Sequence, residues 1–339
     1  MARKITSQDV AKLAGVSQSA VSRVFTKGAS VSPDMAERVR VAADTLGYRP
    51  NALARGLITG RTRIIGLVVA YLDNPFYPDA IEKLSTALQK QGYHLLIFTT
   101  GRHGIDTDRV ISELLDYQVD GIITASINLS GKLTKRCAAA GIPVVLFNRG
   151  IPGSGLSAVT SDNLAGGRKA AEFLLAGGHK RLAHISGFRD ASTSQDRLEG
   201  FRAALAEAGH DVHAIEDGKY DRATACEAAR RLMDRPDPPD AIFVANDHMA
   251  LAVMDVLRFD LKLDVPGDVS ILGYDDVPMA AWPAYDLTTL RQPTRRMVQA
   301  TVEELFAQLE NPTRAARRIE IDGPLVVRSS ARIPQGYVT

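Results

Sequence analysis

Little in this 339-residue sequence suggests a membrane-bound or secreted protein. The two cysteines, Cys137 and Cys226, show no metal-ligand spacing. No apolar run is long enough to cross a bilayer, and the opening MARKITSQDV lacks the apolar segment of a signal peptide. We therefore expect a reduced, cytoplasmic protein without membrane association.

The sequence also lacks the short motifs of common enzyme classes. It has no GxGxxG after the first apolar run, no GxxxxGK[ST], no GxSxG and no CxxC. The acids Asp275 and Asp276 are adjacent, so their side chains should diverge rather than act as an acid–base couple. Isolated histidines show no metal spacing: His94, His179, His184 and His248. We expect no catalysis, no cofactor and no metal.

Basic residues, by contrast, are concentrated at the amino-terminal end. The whole chain carries a net charge of only +2. Residues 1–63 contain eleven Lys or Arg and four Asp or Glu, whereas the remainder contains 30 basic and 35 acidic residues. A basic segment joined to a mildly acidic body is typical of a polyanion-binding module attached to another domain.

Two short helices joined by a tight turn are predicted within this basic segment, at residues 6–25. Thr6 and Asp9 have the spacing of a capping box, Gly15 suits the turn, and Ser17 can cap the second helix. The second helix would leave a polar side facing solvent, formed by Gln18, Ser19, Ser22 and Arg23. This is the pattern of a helix-turn-helix, although a small helical hairpin with an ordinary polar face has the same spacing.

The rest of the amino-terminal segment completes a small head. We expect Val10, Ala11 and Leu13 to form the inner face of the first helix. Ser32 and Pro33 start a third helix. NALARGL then predicts one more short helical segment, which at about two turns should need a partner surface to fold.

The stretches ITSQDVAKLAGVSQSAVSRVF and VSPDMAERVRVAADTLGYRPNALARGL resemble the DNA-binding head and hinge of the lactose-repressor (LacI) family of bacterial transcription regulators. The resemblance implies that the second helix enters the major groove, with Gln18, Ser19 and Arg23 contacting bases. It also implies phosphate contacts from Thr6, Ser17 and Ser22. In the hinge, Leu57 with Ala54 beside it would wedge into the minor groove, although Leu57 packing on the body is the alternative.

Beyond residue 63 the pattern changes to alternating strands and helices. Short apolar runs such as IIGLVVA and VSILGY alternate with amphipathic helices, which predicts parallel sheets covered on both faces. A break near 150–162 separates two similar series, so we expect two doubly wound lobes. The predicted divisions are a head at 1–49, a hinge helix and linker at 50–62, a body at 63–339, an N-lobe of about 63–161 and 293–325, and a C-lobe of about 162–292 and 326–339.

The body resembles the two-lobed, periplasmic-binding-protein-like effector domain of the same family, through pieces such as DNPFY, SDNLAGG and RLEGF. The resemblance implies a small-molecule site between the lobes, at the carboxyl ends of the strands. Arg197, Asn246 and Asp275 match ligand contacts of the family. Further candidates for this cleft are aromatic or cationic residues: Phe76, Arg149, Phe188, Arg189, Tyr220 and Trp282. Packing in the core or on the surface is the alternative for Phe76, Phe188 and Trp282.

These expectations describe a repressor that binds a near-palindromic operator as a homodimer and responds to a small molecule. Helix 77–91 would contribute to the dimer, and the tail after Val327 has no leucine heptads that would build a tetramer. A sugar or sugar acid suits the cleft best, and a purine or a protein coregulator is the alternative effector. A solute-binding protein or an enzyme on the same fold is a lesser alternative, because the chain carries a basic helix-turn-helix that neither class of protein needs.

Overall fold

A computed structural model describes residues 5–26, 29–49, 61–101, 107–127 and 130–336. The chain forms two compact units that divide at Arg63, here called the head and the body. The predicted hinge contacts, Ala54 and Leu57, lie outside the described residues. Among the helices that the structure describes, none is long and apolar enough to cross a membrane.

The head is a bundle of three helices: α1 (Ser7–Ala14), α2 (Gln18–Val24) and α3 (Pro33–Leu46). The Thr6 amide donates to Asp9 Oδ2 at 2.9 Å, and Ser17 Oγ accepts from the Ala20 amide at 3.2 Å. Gly15 ends α1 with a φ of 65°. The predicted caps and turn therefore define where these helices begin and end.

Small apolar residues fill the centre of the head: Val10, Ala11, Ala14, Val21, Val39, Ala42 and Ala43. The prediction that Leu13 belongs to this inner face was wrong, because its side chain is 54% exposed. Ala14 is buried in its place, since it lies four residues after Val10 on the same side of α1.

The body alternates strands and helices along the chain. The first series contains β1 (Ile64–Val69), α4 (Phe76–Lys90), β2 (His94–Thr99), α5 (Thr107–Asp116), β3 (Gly121–Ala125), α6 (Gly131–Ala139), β4 (Val144–Phe147) and β5 (Ser157–Ser161). The second series contains α7 (Asn163–Ala176), β6 (Leu182–Ser186), α8 (Ser192–Glu207), β7 (Ala214–Asp217), α9 (Arg222–Met233), β8 (Ala241–Val244), α10 (Asp247–Asp255) and β9 (Ser270–Asp275). The chain ends with β10 (Thr288–Arg291), α11 (Thr294–Glu310), β11 (Arg318–Ile321) and β12 (Leu325–Val326).

Two six-stranded sheets define the lobes. The N-lobe sheet has the order β11-β5-β4-β3-β1-β2 and is parallel throughout. The C-lobe sheet has the order β12-β10-β9-β8-β6-β7, and only β12 is antiparallel to its neighbour. Buried strands and helices on both faces confirm the predicted doubly wound lobes.

Three connections join the lobes, since the chain passes from β5 to α7, from β10 to α11 and from β11 to β12. Two of the strands that lead into these connections are not predicted from the sequence. The break near 150–162 contains β5, and β10 was not predicted at all. Both are rich in Ser and Thr that are nevertheless buried, so neither shows an apolar run.

Candidate functional site

The outer side of α2 is polar and exposed. Ala20 and Val21 are only 3% and 1% exposed, which fixes the orientation of the helix on the head. The side chains predicted to contact bases or phosphates are all exposed: Thr6, Ser17, Gln18, Ser19, Ser22 and Arg23. Gln18 Nε2 donates to Ser7 Oγ at 2.8 Å, which holds the amide group at the start of α2. This face presents hydrogen-bonding groups on a rigid helix, as base recognition requires.

In the body, polar side chains from both lobes meet at the carboxyl ends of the strands. They line a cleft between the lobes, formed by Tyr71, Asn74, Tyr77, Asn148, Arg149, Thr193, Arg197, Tyr220, Asn246, Asp275 and Gln292. The cavity left in this cleft is about 10 Å³, room for a single water molecule. A ligand of several atoms therefore has to separate the two walls as it enters.

The backbone around the cleft is unusual. Non-glycine residues with positive φ lie at the carboxyl ends of three strands: Ser126 directly after β3 at 60°, Asn148 directly after β4 at 68°, and Asp275, the last residue of β9, at 131°. Tyr220, in the loop after β7, has a φ of 50°. Such conformations carry strain, and they cluster where a side chain must be aimed at a particular point. Their convergence from four loops indicates a functional constraint on this cleft.

Arg197 holds the C-lobe side of the cleft together. Its side chain is 2% exposed, and its Nε donates to Asn163 Oδ1 at 2.8 Å. Its Nη1 donates to the Ala245 carbonyl oxygen and lies 3.9 Å from Asp275 Oδ1. The guanidinium carbon lies 3.5 Å from the centre of the Tyr274 ring. A buried charge is tolerated here because hydrogen bonds, a carboxylate and an aromatic face surround it.

Asp275 links this arginine to both lobes. Its Oδ1 accepts from Gln292 Nε2 at 2.6 Å, and its Oδ2 accepts from Asn74 Nδ2 of the N-lobe at 3.4 Å. Burial raises the pKa of Asp275 to about 6, although Arg197 acts in the opposite direction. The walls are therefore joined by a hydrogen bond between lobes that an entering ligand would have to replace.

A larger cavity, of about 240 Å³, lies at the opposite end of the N-lobe strands, beside Val144 and Ser157. Its lining is mostly apolar. Among the described residues, none of the buried polar atoms without a hydrogen-bond partner belongs to it, whereas Asn148, Arg149 and Gln292 in the cleft contribute such atoms. The smaller cleft is the better candidate, because buried polar groups are satisfied by whatever binds them.

Comparison with known proteins shows which protein family has this architecture. Residues 6–51 match the model described as bacterial regulatory proteins, lacI family, and residues 171–331 match a periplasmic binding protein-like domain. The HTH-type transcriptional regulator CelR of Thermobifida fusca is 36% identical over 337 residues, which are 97% of this chain and 98% of that protein. This chain belongs to the lacI family of bacterial regulatory proteins.

Solved structures agree with this assignment to the lacI family. A CelR–cellobiose complex shares 35% identity with a TM-score of 0.73, covering 96% of this chain and all of the other. The lac repressor dimer bound to operator and the anti-inducer ONPF shares 25% identity with a TM-score of 0.87, covering 97% and 99% of the two chains. As a lacI-family protein, this chain is a DNA-binding transcriptional regulator.

Five of the predicted effector contacts of this lacI-family chain line the cleft: Arg149, Arg197, Tyr220, Asn246 and Asp275. The other four do not line it. Phe76 is 3% exposed and stacks on Phe147 with ring centres 6.2 Å apart, so it belongs to the core. Phe188 is half-buried and packs edge-on against Tyr220.

The remaining two predicted contacts lie outside the cleft lining and are largely exposed. The Arg189 side chain is 88% exposed, with its Nε 3.7 Å from Asp217 Oδ2, and Trp282 is 54% exposed. Six further residues line the cleft and were not predicted from the sequence: Tyr71, Asn74, Tyr77, Asn148, Thr193 and Gln292. Asn74 and Tyr77 lie in the family-like piece DNPFY and Asn148 adjoins Arg149, so a signal was present for these three.

Asp247, behind the cleft, makes stability depend on pH. Burial and the nearby Asp275 raise its pKa to about 7, while Thr289 Oγ1 donates to it at 2.6 Å. A carboxyl whose pKa is raised on folding takes up protons in the native state, so its contribution to stability falls as pH rises from about 4 to about 7. We expect Asp247→Asn to remove this fall.

Urea unfolding midpoints of wild type and D247N, measured at about pH 5 and about pH 8, test this prediction. The gain of D247N over wild type should be larger at the higher pH. The difference between the two proteins is the relevant quantity, because His184, whose pKa burial lowers to about 3, acts in the opposite direction in both. An equal difference at the two pH values would contradict a raised pKa of Asp247.

Proposed function

We propose that this lacI-family chain is a repressor that binds a near-palindromic operator as a homodimer and that a sugar-type ligand in the cleft controls its affinity for DNA. It acts by binding rather than catalysis, and it acts in the cytoplasm, where its DNA target lies. The convergence of buried polar groups from both lobes on one cleft carries this proposal. The lac repressor dimer on its operator and the CelR–cellobiose complex support it by similarity.

The head supplies the DNA-binding part of the proposal. Gln18, Ser19 and Arg23 would contact base edges from the exposed side of α2, and Thr6, Ser17 and Ser22 would hold phosphates. Ala54 and Leu57 would form the minor-groove wedge. In a symmetric dimer, two such heads meet two halves of a pseudo-palindrome. The dimer contacts would lie on the flanks of both lobes, with α4 contributing.

Control by ligand follows from linkage between the cleft and the lobes. A ligand shifts an equilibrium between two states only by its difference in affinity for them. Asn74 and Asp275 are hydrogen-bonded across the closed cleft, so a ligand that separates its walls favours a different angle between the lobes. The N-lobe directly follows the segment predicted as the hinge, so a change in its orientation would reach the heads.

Arg23 provides the test of base recognition. We expect Arg23→Ala to weaken operator binding by about 1–3 kcal/mol for one lost bidentate contact and to relax base preference. The operator is first selected from a randomised DNA pool with the full-length protein. Anisotropy titrations then compare that operator with a scrambled duplex of equal length at one salt concentration.

Arg40→Ala is the matched control, because it removes the same charge from an exposed position on α3. This control should weaken binding to both duplexes equally. An Arg23→Ala variant that loses the same factor on operator and scrambled DNA would show that Arg23 does not contact bases.

A further inference from the structure

The charges lining the cleft do not balance. Two guanidinium groups, Arg149 from the N-lobe and Arg197 from the C-lobe, stand against one carboxylate, Asp275. Both arginines are buried, at 8% and 2% exposure. Water therefore screens neither charge well, and each needs a partner within the cleft.

Arg197 has such partners, as described above. Its Nε and Nη1 both donate to protein oxygens, its charge lies 3.9 Å from Asp275, and its plane covers Tyr274. Asp275 is in turn engaged by Gln292 and Asn74. The charges of Arg197 and Asp275 therefore have protein partners without a ligand.

Arg149 is in the opposite situation. Its Nη1 donates to the Ser126 carbonyl oxygen at 3.3 Å, and its buried Nε has no hydrogen-bond partner among the residues that the structure describes. Among the same residues, no carboxylate lies within ion-pair distance of it. The strained φ of 68° at Asn148 helps to aim the adjacent Arg149 into the cleft. The cleft therefore holds the positive charge of Arg149 without a carboxylate partner, and the Nε of this residue is a donor without an acceptor among the described residues.

Two amide oxygens of residues that line the same cleft are also unpartnered. Gln292 donates through Nε2 to the Asp275 carboxylate, which accepts only, so the orientation of its amide is defined. Asn148 donates through Nδ2 to the Tyr77 hydroxyl at 3.0 Å. Asn148 Oδ1 and Gln292 Oε1 are buried with no hydrogen-bond donor among the described residues. A ligand that satisfied this cleft would bring donors to these two oxygens and an anionic acceptor to Arg149.

We propose that the effector is a polyhydroxylated carboxylate, a sugar acid whose carboxylate binds Arg149 and whose hydroxyls donate to Asn148 and Gln292. This inference rests on the proposed function and narrows its ligand class. A guanidinium group matches a carboxylate by paired, charge-assisted hydrogen bonds, whereas a neutral sugar would leave the charge of Arg149 uncompensated.

The first test needs no ligand. In the ligand-free protein, the uncompensated Arg149 charge should oppose folding, so Arg149→Met should raise the thermal midpoint by roughly 2–4 °C. Arg197→Met removes a compensated charge and leaves the buried Asp275 carboxylate without its cation, so it should lower the thermal midpoint. A fall in midpoint for Arg149→Met would mean that the protein already compensates this charge, and would overturn the proposal.

The second test uses matched pairs of neutral and acidic sugars in a thermal-shift assay of the full-length protein. The pairs are glucose with glucuronate, galactose with galacturonate and cellobiose with cellobionate, with glucose 6-phosphate and hypoxanthine added. We expect one acid to raise the midpoint of wild type through mass action, its neutral partner to leave it unchanged, and Arg149→Met to abolish the shift.

A shift in midpoint caused only by a neutral sugar, the phosphate or the purine would overturn the sugar-acid assignment. An acid that still shifts the midpoint of Arg149→Met would overturn it as well, and so would a panel in which no acid shifts the midpoint of wild type. Operator titrations of wild type test the proposed function independently of the sugar-acid assignment, because they measure DNA binding and its response to any ligand. A protein that selects an operator but responds to a neutral sugar would retain the function and lose only this inference.

Discussion

Arg197→Ala should lower the unfolding free energy of the body by about 3–5 kcal/mol, the usual cost of removing one partner from a buried ion pair. The substitution leaves Asp275 buried without its cation, takes the Nε donor from Asn163 and empties the space over Tyr274. Urea unfolding followed by far-UV circular dichroism measures the loss. Arg197 is therefore expected to hold the cleft together as well as to contact the ligand.

Arg189→Ala is the matched control for that experiment. Its side chain is 88% exposed and only 3.7 Å from a single acid, so its removal should change stability by less than about 0.5 kcal/mol. If Arg197→Ala unfolds at the same urea concentration as Arg189→Ala, the Arg197–Asp275 pair does not hold this part of the cleft together.

The second large effect is expected where α7 crosses α8. A Cβ added at Gly167 would lie 2.1 Å from the Arg197 carbonyl oxygen, and one added at Gly200 would lie 2.0 Å from the Leu164 carbonyl oxygen. Both obstacles are backbone atoms, which cannot rotate away as a side chain does. The helices would have to separate, so either Gly→Ala change should cost roughly 3 kcal/mol, at the upper end for overpacking.

Gly131→Ala serves as the comparison, because Gly131 is also helical and an added Cβ would meet nothing within 4 Å. It should be neutral or stabilising by up to about 1 kcal/mol, since alanine restricts the unfolded chain and favours helix. Thermal midpoints of the three variants measure the contrast. A Gly200→Ala protein as stable as Gly131→Ala would show that the crossing tolerates a wider separation.

The head was predictable from sequence because its signals are local. The caps at Thr6 and Ser17 and the turn at Gly15 each depend on residues within one turn of the chain. Leu13 was misplaced because apolar character alone does not decide which of two neighbouring positions, 13 or 14, faces the other helices.

The two strands missed in the body depend on partners far along the chain. Ser157 in β5 is buried because its hydroxyl donates to Glu304, and Thr289 in β10 is buried because its hydroxyl donates to Asp247. Neither partner can be inferred from the five residues of a strand. Missing β10 also hid Gln292, which lines the cleft directly after that strand.

Within the cleft, the prediction of an aromatic contact after β1 was wrong by one residue. The sequence offers the aromatic Phe76 as a cleft contact with core packing as the alternative, and in the structure α4 begins at this residue and its ring stacks on Phe147. The neighbouring Tyr77 lines the cleft instead, with its hydroxyl bound to Ser126 and Asn148. Sequence indicates that an aromatic side chain follows β1, whereas the start of the helix decides which one lines the cleft.

The edge strands β11 and β12 have a consequence for synthesis on the ribosome. The N-lobe begins at β1 and the C-lobe at α7, but the N-lobe obtains its last strand at Arg318–Ile321 and the C-lobe at Leu325–Val326. Domains generally fold as their residues emerge, so the head can fold after the first sixty or so residues, whereas neither lobe has all its strands until residues 318–326 have been made. A prematurely terminated product would carry a head capable of folding and no lobe able to close around a ligand.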